Sequence, residues 1–123
     1  MPETNVELAR RGFAAALQGD LDAIADLLDP EVTWHGGDPA AAGACRNRDQ
    51  ALTFMRRADA LRDGSVELVD VVGAGEKVVV ILRPAGRGHP VANLATFRDG
   101  RVIEMVHYAD ADEALAAAGV TRR

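Results

Sequence analysis

Hydrophobic periodicity changes halfway along the chain, and this change limits the folds that the chain can adopt. Up to about residue 61, apolar residues recur three and four positions apart, which is typical of amphipathic helices. After residue 65 the apolar residues form short runs between glycine-containing turns, which is typical of strands. Helices followed by strands that are joined through hairpins predict an α+β fold with an antiparallel sheet.

The start of the chain predicts two short helices. Thr4 and Glu7 have the spacing of a capping box, and Gly19 ends the first helix. Asp20 begins a second helix, which Asp29 and the following proline close. The apolar face of this helix consists of Leu21, Ile24, Leu27 and Leu28. Two adjacent helices with a glycine hinge between them predict a helical hairpin.

A short strand and a third helix come next. Residues 31–35 predict a strand with Val32 and Trp34 on one face and His35 on the other. Asn47 and Gln50 have capping spacing and begin the third helix. Its apolar stripe consists of Leu52, Met55, Ala58 and Leu61.

The second half predicts four strands and a last helix. The strands begin at residues 66, 78, 91 and 102. Asp99–Gly100 has the sequence of a two-residue hairpin turn between the last two strands. Asp110 and Glu113 predict the start of a final helix over residues 111–118.

Length and composition indicate one domain over residues 1–123 and exclude several classes of partner. The net charge is −5 and the arginines are scattered, so we expect no nucleic acid and no anionic membrane as partner. Cys45 is the only cysteine, which excludes an internal disulfide and favours a reducing compartment. No apolar run is long enough to span a membrane and no leader pattern is recognised, so we expect a cytoplasmic protein.

Five segments in this order resemble the nuclear-transport-factor-2-like superfamily, in particular its SnoaL-like and ketosteroid-isomerase-like branch. The segments are residues 13–24, 28–35, 46–54, 98–103 and 107–110. The resemblance implies a cone-shaped, strongly curved antiparallel (mixed) sheet wrapped around three N-terminal helices, with a short C-terminal helix and a deep pocket. The branch includes isomerases, polyketide cyclases, epoxide hydrolases, binding proteins and interaction modules, so the fold alone does not give a function.

Three residues are candidates for catalysis. By the resemblance, His35 lies near the position of the carboxylate base of ketosteroid-isomerase-like members, and His107 resembles the catalytic carboxylate of epoxide-hydrolase-like and cyclase-like members. Imidazole suits acid–base work because its ordinary pKa is about 6.5. We expect the two histidines to meet in one cavity, with Asp38 as an orienting carboxylate at its mouth. Each residue has an alternative without a catalytic role. His35 would be a histidine at the rim of the cavity, His107 a hydrogen-bonded histidine of the core, and Asp38 a structural residue of a turn.

The predicted cavity is mostly apolar and takes a neutral or weakly anionic small organic molecule. Asn93 would offer it an amide, and Trp34 would either help to position the ligand or pack in the core. The predicted ligand-binding residues are Phe13, Leu17, Trp34, Met55, Asn93, Ile103 and Met105. We expect no cofactor and no metal, because no Cys, His or carboxylate cluster has metal spacing and no glycine-rich phosphate loop precedes a helix.

The chain departs from two mechanisms of the branch. The oxyanion-donor tyrosine of ketosteroid isomerases corresponds to Gly12, and the arginine and carboxylate of epoxide-hydrolase-like members correspond to Ile81 and Arg83. Three functions therefore stay open. They are an isomerase, cyclase or hydrolase that uses histidine acid–base catalysis, a noncatalytic small-ligand-binding protein, and a dimeric interaction module.

We also expect a homodimer through the outer face of the sheet. The uninterrupted apolar run over residues 78–82 requires cover on both faces, whereas a cone covers only one. Glu104, Val106 and Tyr108 alternate onto the outer face and form a mixed surface, which suits a symmetric contact.

Overall fold

The computed structural model describes residues 4–36, 44–61, 66–84 and 89–120. Its elements are, in chain order, α1 (Asn5–Gln18), α2 (Leu21–Leu27), β1 (Leu28–His35), α3 (Arg48–Leu61), β2 (Val66–Ala74), β3 (Lys77–Pro84), β4 (Val91–Arg98), β5 (Arg101–Tyr108) and α4 (Ala111–Ala117). This order confirms the predicted α+β class.

The helices begin at the residues whose side chains can cap them. The Thr4 hydroxyl accepts the N–H of Glu7, and the Glu7 carboxylate accepts the N–H of Thr4, which completes the predicted capping box. At α3 the side-chain oxygen of Asn47 accepts the N–H of Gln50 over 2.9 Å. Within the described ranges, none of the helices is long and apolar enough to cross a membrane.

The first strand begins earlier than the sequence predicts. Leu28, predicted on the apolar face of α2, instead begins β1 and pairs in parallel with Val102 of β5. Leu28 is buried in this position, so tertiary packing overrides its helical spacing. Pro30 is tolerated because β1 is an edge strand. An edge strand pairs with a neighbouring strand on one side only, so a residue without an N–H is tolerated there.

The five strands form one curved mixed sheet in the order β1-β5-β4-β3-β2. β1 pairs with β5 in parallel, and every other neighbouring pair is antiparallel. The predicted turn between β4 and β5 is present, and Asp99 and Gly100 have φ values of 53° and 79°. Positive φ at both turn residues matches the right-handed twist of the flanking strands.

The apolar residues of β3 are buried on both faces of the sheet. On the inner face, Val78 and Val80 of β3 pack in a cluster that includes residues of α1 and α2. On the outer face, Val79 and Ile81 pack in a second cluster with Leu115 of α4. The premise that a cone would leave the outer side of this apolar run for a second copy to cover was therefore wrong, because α4 covers it.

A bulge in β5 sets which residues face inward. Thr96 pairs with Glu104 but Phe97 pairs with Val102, so Ile103 is the extra residue on β5. Because of this insertion, Val102 and Met105 both contribute to the inner cluster although they lie three positions apart. Bulges also bend the strand that carries them, which favours the curvature that encloses a cavity.

Candidate functional site

An apolar cavity of about 540 Å³ lies between the helices and the inner face of the sheet. Helices α1 and α2 form one wall, α3 and the end of β1 form a second, and β3, β4 and β5 form the floor. The volume is that of an ordinary small-molecule site, which spans about 300–1,000 Å³. Among the described lining residues, the polar side chains are those of Trp34, Arg56 and Asn93.

Five of the seven residues that were predicted to bind a ligand line the cavity. The predicted residues that line the cavity are Phe13, Trp34, Met55, Asn93 and Met105. Ile103 is the bulge residue of β5 and does not belong to the lining. The side chain of Leu17 and all of Asp38 lie outside the part of the chain that the structure describes.

The two candidate histidines do not meet in the cavity. Trp34 lines the cavity, so the next residue of β1, His35, has its side chain on the outer face. His107 lies on the inner face, where β5 pairs it with Asn93. The expectation of one cavity containing both rings was therefore wrong, because the sheet separates them.

His35 belongs to a polar contact on the outer face. Its ring is buried, with a side chain that is 6% exposed, and Nε2 lies 3.3 Å from a carboxylate oxygen of Glu104. Glu104 is 46% exposed, so this carboxylate keeps contact with solvent while it satisfies the buried ring. The position fits the rim or structural alternative better than a role against a molecule in the cavity.

His107 and Asn93 form a hydrogen-bonded pair in which Asn93 lines the cavity, whereas His107 is exposed and is not one of the lining residues. Nδ1 of His107 lies 3.0 Å from the side-chain oxygen of Asn93. An amide oxygen accepts, so Nδ1 carries the proton and Nε2 keeps its lone pair. Partial shielding of the ring from water lowers the pKa of His107 below its ordinary 6.5, which favours the neutral imidazole at neutral pH. Asn93 thus connects the cavity lining to a group that can accept a proton.

Two aromatic rings stand at the mouth of the cavity. The ring centroids of Trp34 and Phe54 are 5.8 Å apart at an angle of 57°. Phe54 lines the cavity yet is 48% exposed, which places it at the opening. Main-chain hydrogen bonds of 2.9 and 2.8 Å between Trp34 and Cys45 hold the backbone of the tryptophan in place. Cys45 itself is buried, and burial raises the pKa of its thiol.

Phe54 and Arg56 of α3 line the cavity but were not predicted as ligand-binding residues from the sequence. They flank Met55, which lies on the predicted apolar stripe of that helix. The available signal was this adjacency, since neighbours of a cavity-facing helical residue can reach the edge of the same cavity. Neither periodicity nor composition distinguishes Arg56 from the other surface arginines.

Of the three positions at which the sequence departs from known mechanisms, Gly12 lines the cavity, whereas Ile81 and Arg83 do not. Gly12 lines the cavity, and a Cβ there would lie 3.1 Å from a methyl carbon of Leu27, so α2 occupies the room of a side chain. Ile81 is buried beneath α4, and Arg83 lies 3.9 Å from Glu67. Among the described residues, no group of three or more His, Cys, Asp or Glu side chains could hold a metal ion.

Solved structures with this arrangement of helices and strands are numerous. Bal32a, from a soil-derived mobile gene cassette, is 26% identical, with 85% of this chain and 87% of that chain covered and a TM-score of 0.70. A hypothetical protein from Catenulispora acidiphila with a ketosteroid-isomerase-like fold, in complex with trimethylamine, is 20% identical over 96% of both chains, with a TM-score of 0.66. An LEH-like epoxide hydrolase of M. tuberculosis is 17% identical over 95% of this chain and 94% of that chain, also with a TM-score of 0.66.

The family follows from a direct match of the sequence. A comparison with curated proteins finds no match to the chain. Residues 9–105 match the SnoaL-like domain, a span that runs from within α1 to within β5. The structural neighbours have the fold that the sequence resemblance implied. The chain therefore belongs to the SnoaL-like domain family, within the nuclear-transport-factor-2-like superfamily.

Proposed function

We propose that the protein binds a small, mostly apolar organic molecule in the cavity between its helices and its sheet. The observation that carries this proposal is the 540 Å³ cavity with apolar walls and few polar groups. Binding in a cavity of this kind is favourable because the ligand and the apolar walls are both removed from water. The few polar groups set the orientation of the ligand. Met55 and Met105 line the cavity and can adapt their shape to such a ligand.

Asn93 is the polar contact in the floor of the cavity that we propose for the ligand. Its side-chain oxygen faces His107, which leaves the amide NH₂ group to donate to a ligand oxygen. A carbonyl or hydroxyl group on an otherwise apolar molecule would suit this donor. A ligand without such an oxygen would leave the partly buried amide without that hydrogen bond, so Asn93 favours one orientation of the ligand.

A second candidate function is acid–base catalysis on the bound molecule, as in an isomerase, cyclase or hydrolase. The Asn93–His107 hydrogen bond and the lowered pKa of His107 favour it. A neutral imidazole whose Nδ1 proton is held by a partner has Nε2 ready as a general base. The LEH-like neighbour is an epoxide hydrolase, but Ile81 and Arg83 do not line this cavity, so the reaction type stays open.

The binding proposal can be tested with a neutral fluorescent probe. N-Phenyl-1-naphthylamine emits strongly only in apolar surroundings, and Trp34 is the only tryptophan of the chain, so energy transfer from it reports occupancy of the cavity. We expect binding by the parent protein and loss of binding in Ala16→Phe, which fills the cavity from α1. Ala14→Phe is the matched control, because Ala14 is an exposed residue of the same helix.

Two results would overturn the binding proposal. One is the absence of probe binding to the folded parent protein. The other is equal binding by Ala16→Phe and the parent, which would place the probe outside the cavity. Thermal unfolding of both phenylalanine variants establishes that each is folded at the temperature of the titration.

A further inference from the structure

We propose that the ligand is an organic monoanion with a flat apolar body, and that Arg56 binds its charge at the mouth of the cavity. This inference rests on the proposed binding function and names the chemical class of the molecule. It comes from the presence of one cation and two aromatic rings in the lining of an otherwise apolar cavity.

Arg56 is placed to meet a ligand. It lines the cavity and is exposed, so it lies at the edge of the cavity that faces solvent. Within the described residues, Glu67 and Glu104 pair with other groups, and no carboxylate pairs with Arg56. A planar guanidinium can donate two parallel hydrogen bonds to a carboxylate or sulfonate, which gives direction as well as charge.

The two aromatic rings in the cavity lining indicate the shape of the bound molecule. Phe54, two positions earlier in α3, is the most exposed large hydrophobic residue among those described. It leans against Trp34 at an interplanar angle of 57°, so the faces of the two rings point in different directions at the opening. A flat apolar molecule that passes between the mouth and the interior would cover this exposed ring.

The charges of the lining favour a single negative charge. Among its described residues, Arg56 is the only charged side chain and no carboxylate is present to attract a cation. A polyphosphate or a dianion would place further charge against apolar walls, where an unpaired charge is costly. The other polar side chains of the lining, Trp34 and Asn93, are neutral and suit an uncharged polar group on the ligand.

The test compares two probes that share one body and differ in charge. 8-Anilinonaphthalene-1-sulfonate and N-phenyl-1-naphthylamine have the same pair of aromatic groups, and only the first carries a sulfonate. Each is titrated into the parent protein, Arg56→Gln and Arg98→Gln. Arg98 is an exposed arginine at the end of β4 outside the lining, so its variant controls for the loss of one positive charge.

We expect Arg56→Gln to weaken the sulfonate probe about threefold to tenfold and to leave the neutral probe unchanged, as for a partly exposed charge-assisted contact. Arg98→Gln should change neither affinity. Added salt should weaken only the sulfonate probe, because ions screen an exposed pair. This last measurement needs no variant, so it tests the inference even if Arg56→Gln is unstable.

The outcomes separate this inference from the function on which it rests. If the neutral probe binds and Ala16→Phe blocks it, binding in the cavity stands. In that case, equal sulfonate affinity in Arg56→Gln and the parent, or a salt response that is the same for both probes, overturns the role of Arg56. If neither probe binds the parent protein, the binding proposal itself fails.

Discussion

The side-chain oxygen of Asn93 lies 3.0 Å from Nδ1 of His107, a contact between β4 and β5 that exists because of one inserted residue. Near the turn, Arg98 pairs with Arg101, and an unbroken register would bring Val106 opposite Asn93. The bulge at Ile103 shifts the pairing by one position and brings His107 there instead. A shift of one residue exchanges the two faces of a strand, so the bulge decides whether the cavity has a titratable neighbour.

The lowered pKa of His107 predicts a pH-dependent stability. The unfolded chain binds this proton more tightly than the folded one, so the stability that the neutral ring contributes is present above pH 6.5 and is lost as the pH falls through the folded pKa. Melting temperatures measured from about pH 7 to about pH 5 should therefore fall more steeply for the parent than for His107→Gln. The exposed His89 provides the control variant, His89→Gln, and parallel curves for His107→Gln and the parent would contradict the prediction.

Catalysis, if the protein turns over a substrate, should depend on His107 and not on His35. Loss of a general base typically lowers the rate by about 10² to 10⁴, so His107→Ala should reduce kcat by at least about a hundredfold. Activity of the parent should decline on the acid side of pH 6.5, where the ring gains a proton. His35→Ala should retain turnover, because that ring contacts Glu104 on the outer face. The reverse pattern in the two variants would exclude the Asn93–His107 pair as the acid–base group.

The approach of α1 to β2 predicts a cost for one small substitution. A Cβ at Gly73 would lie 2.8 Å from a methyl carbon of Val6, and a β-branched side chain cannot readily turn away. Gly73→Ala should therefore lower the free energy of unfolding by about 1–2 kcal/mol in chemical denaturation. Gly36→Ala has no atom within 4 Å of the new Cβ and serves as the control. Equal stability of the two variants would mean that α1 does not pack this closely on β2.

The homodimer stays a prediction, but α4 leaves fewer residues of the outer face available for the contact. Helix α4 covers Val106 and packs against Tyr108, two of the three residues predicted for the dimer contact. The remaining outer surface includes Glu104, whose carboxylate meets the buried His35. Light scattering at micromolar concentration should give twice the 13.0 kDa mass of the chain, whereas a single-chain mass would contradict the prediction.

Much of the fold could be predicted from the sequence, because caps, turns and strand alternation depend on neighbours within about four residues. Thr4 and Glu7 cap α1 through groups three positions apart, and Asp99–Gly100 adopts the positive φ values of its hairpin turn. Alternation in β1 likewise placed Val32 and Trp34 together on the inner face. The same alternation places His35 on the face opposite Trp34 and therefore outside the cavity. The family resemblance had instead predicted His35 inside it.

The site depended on contacts between residues far apart in the chain, which a local pattern does not contain. Leu28 leaves its helical stripe because Val102, more than seventy positions later, offers it a buried pairing. Arg56 reaches the cavity through the position of α3 against the end of β1, and His107 meets Asn93 through the bulge. The sequence therefore determined the elements and their apolar faces. Only the tertiary structure decided which polar groups meet, because register and helix placement depend on the packing of the whole core rather than on local sequence.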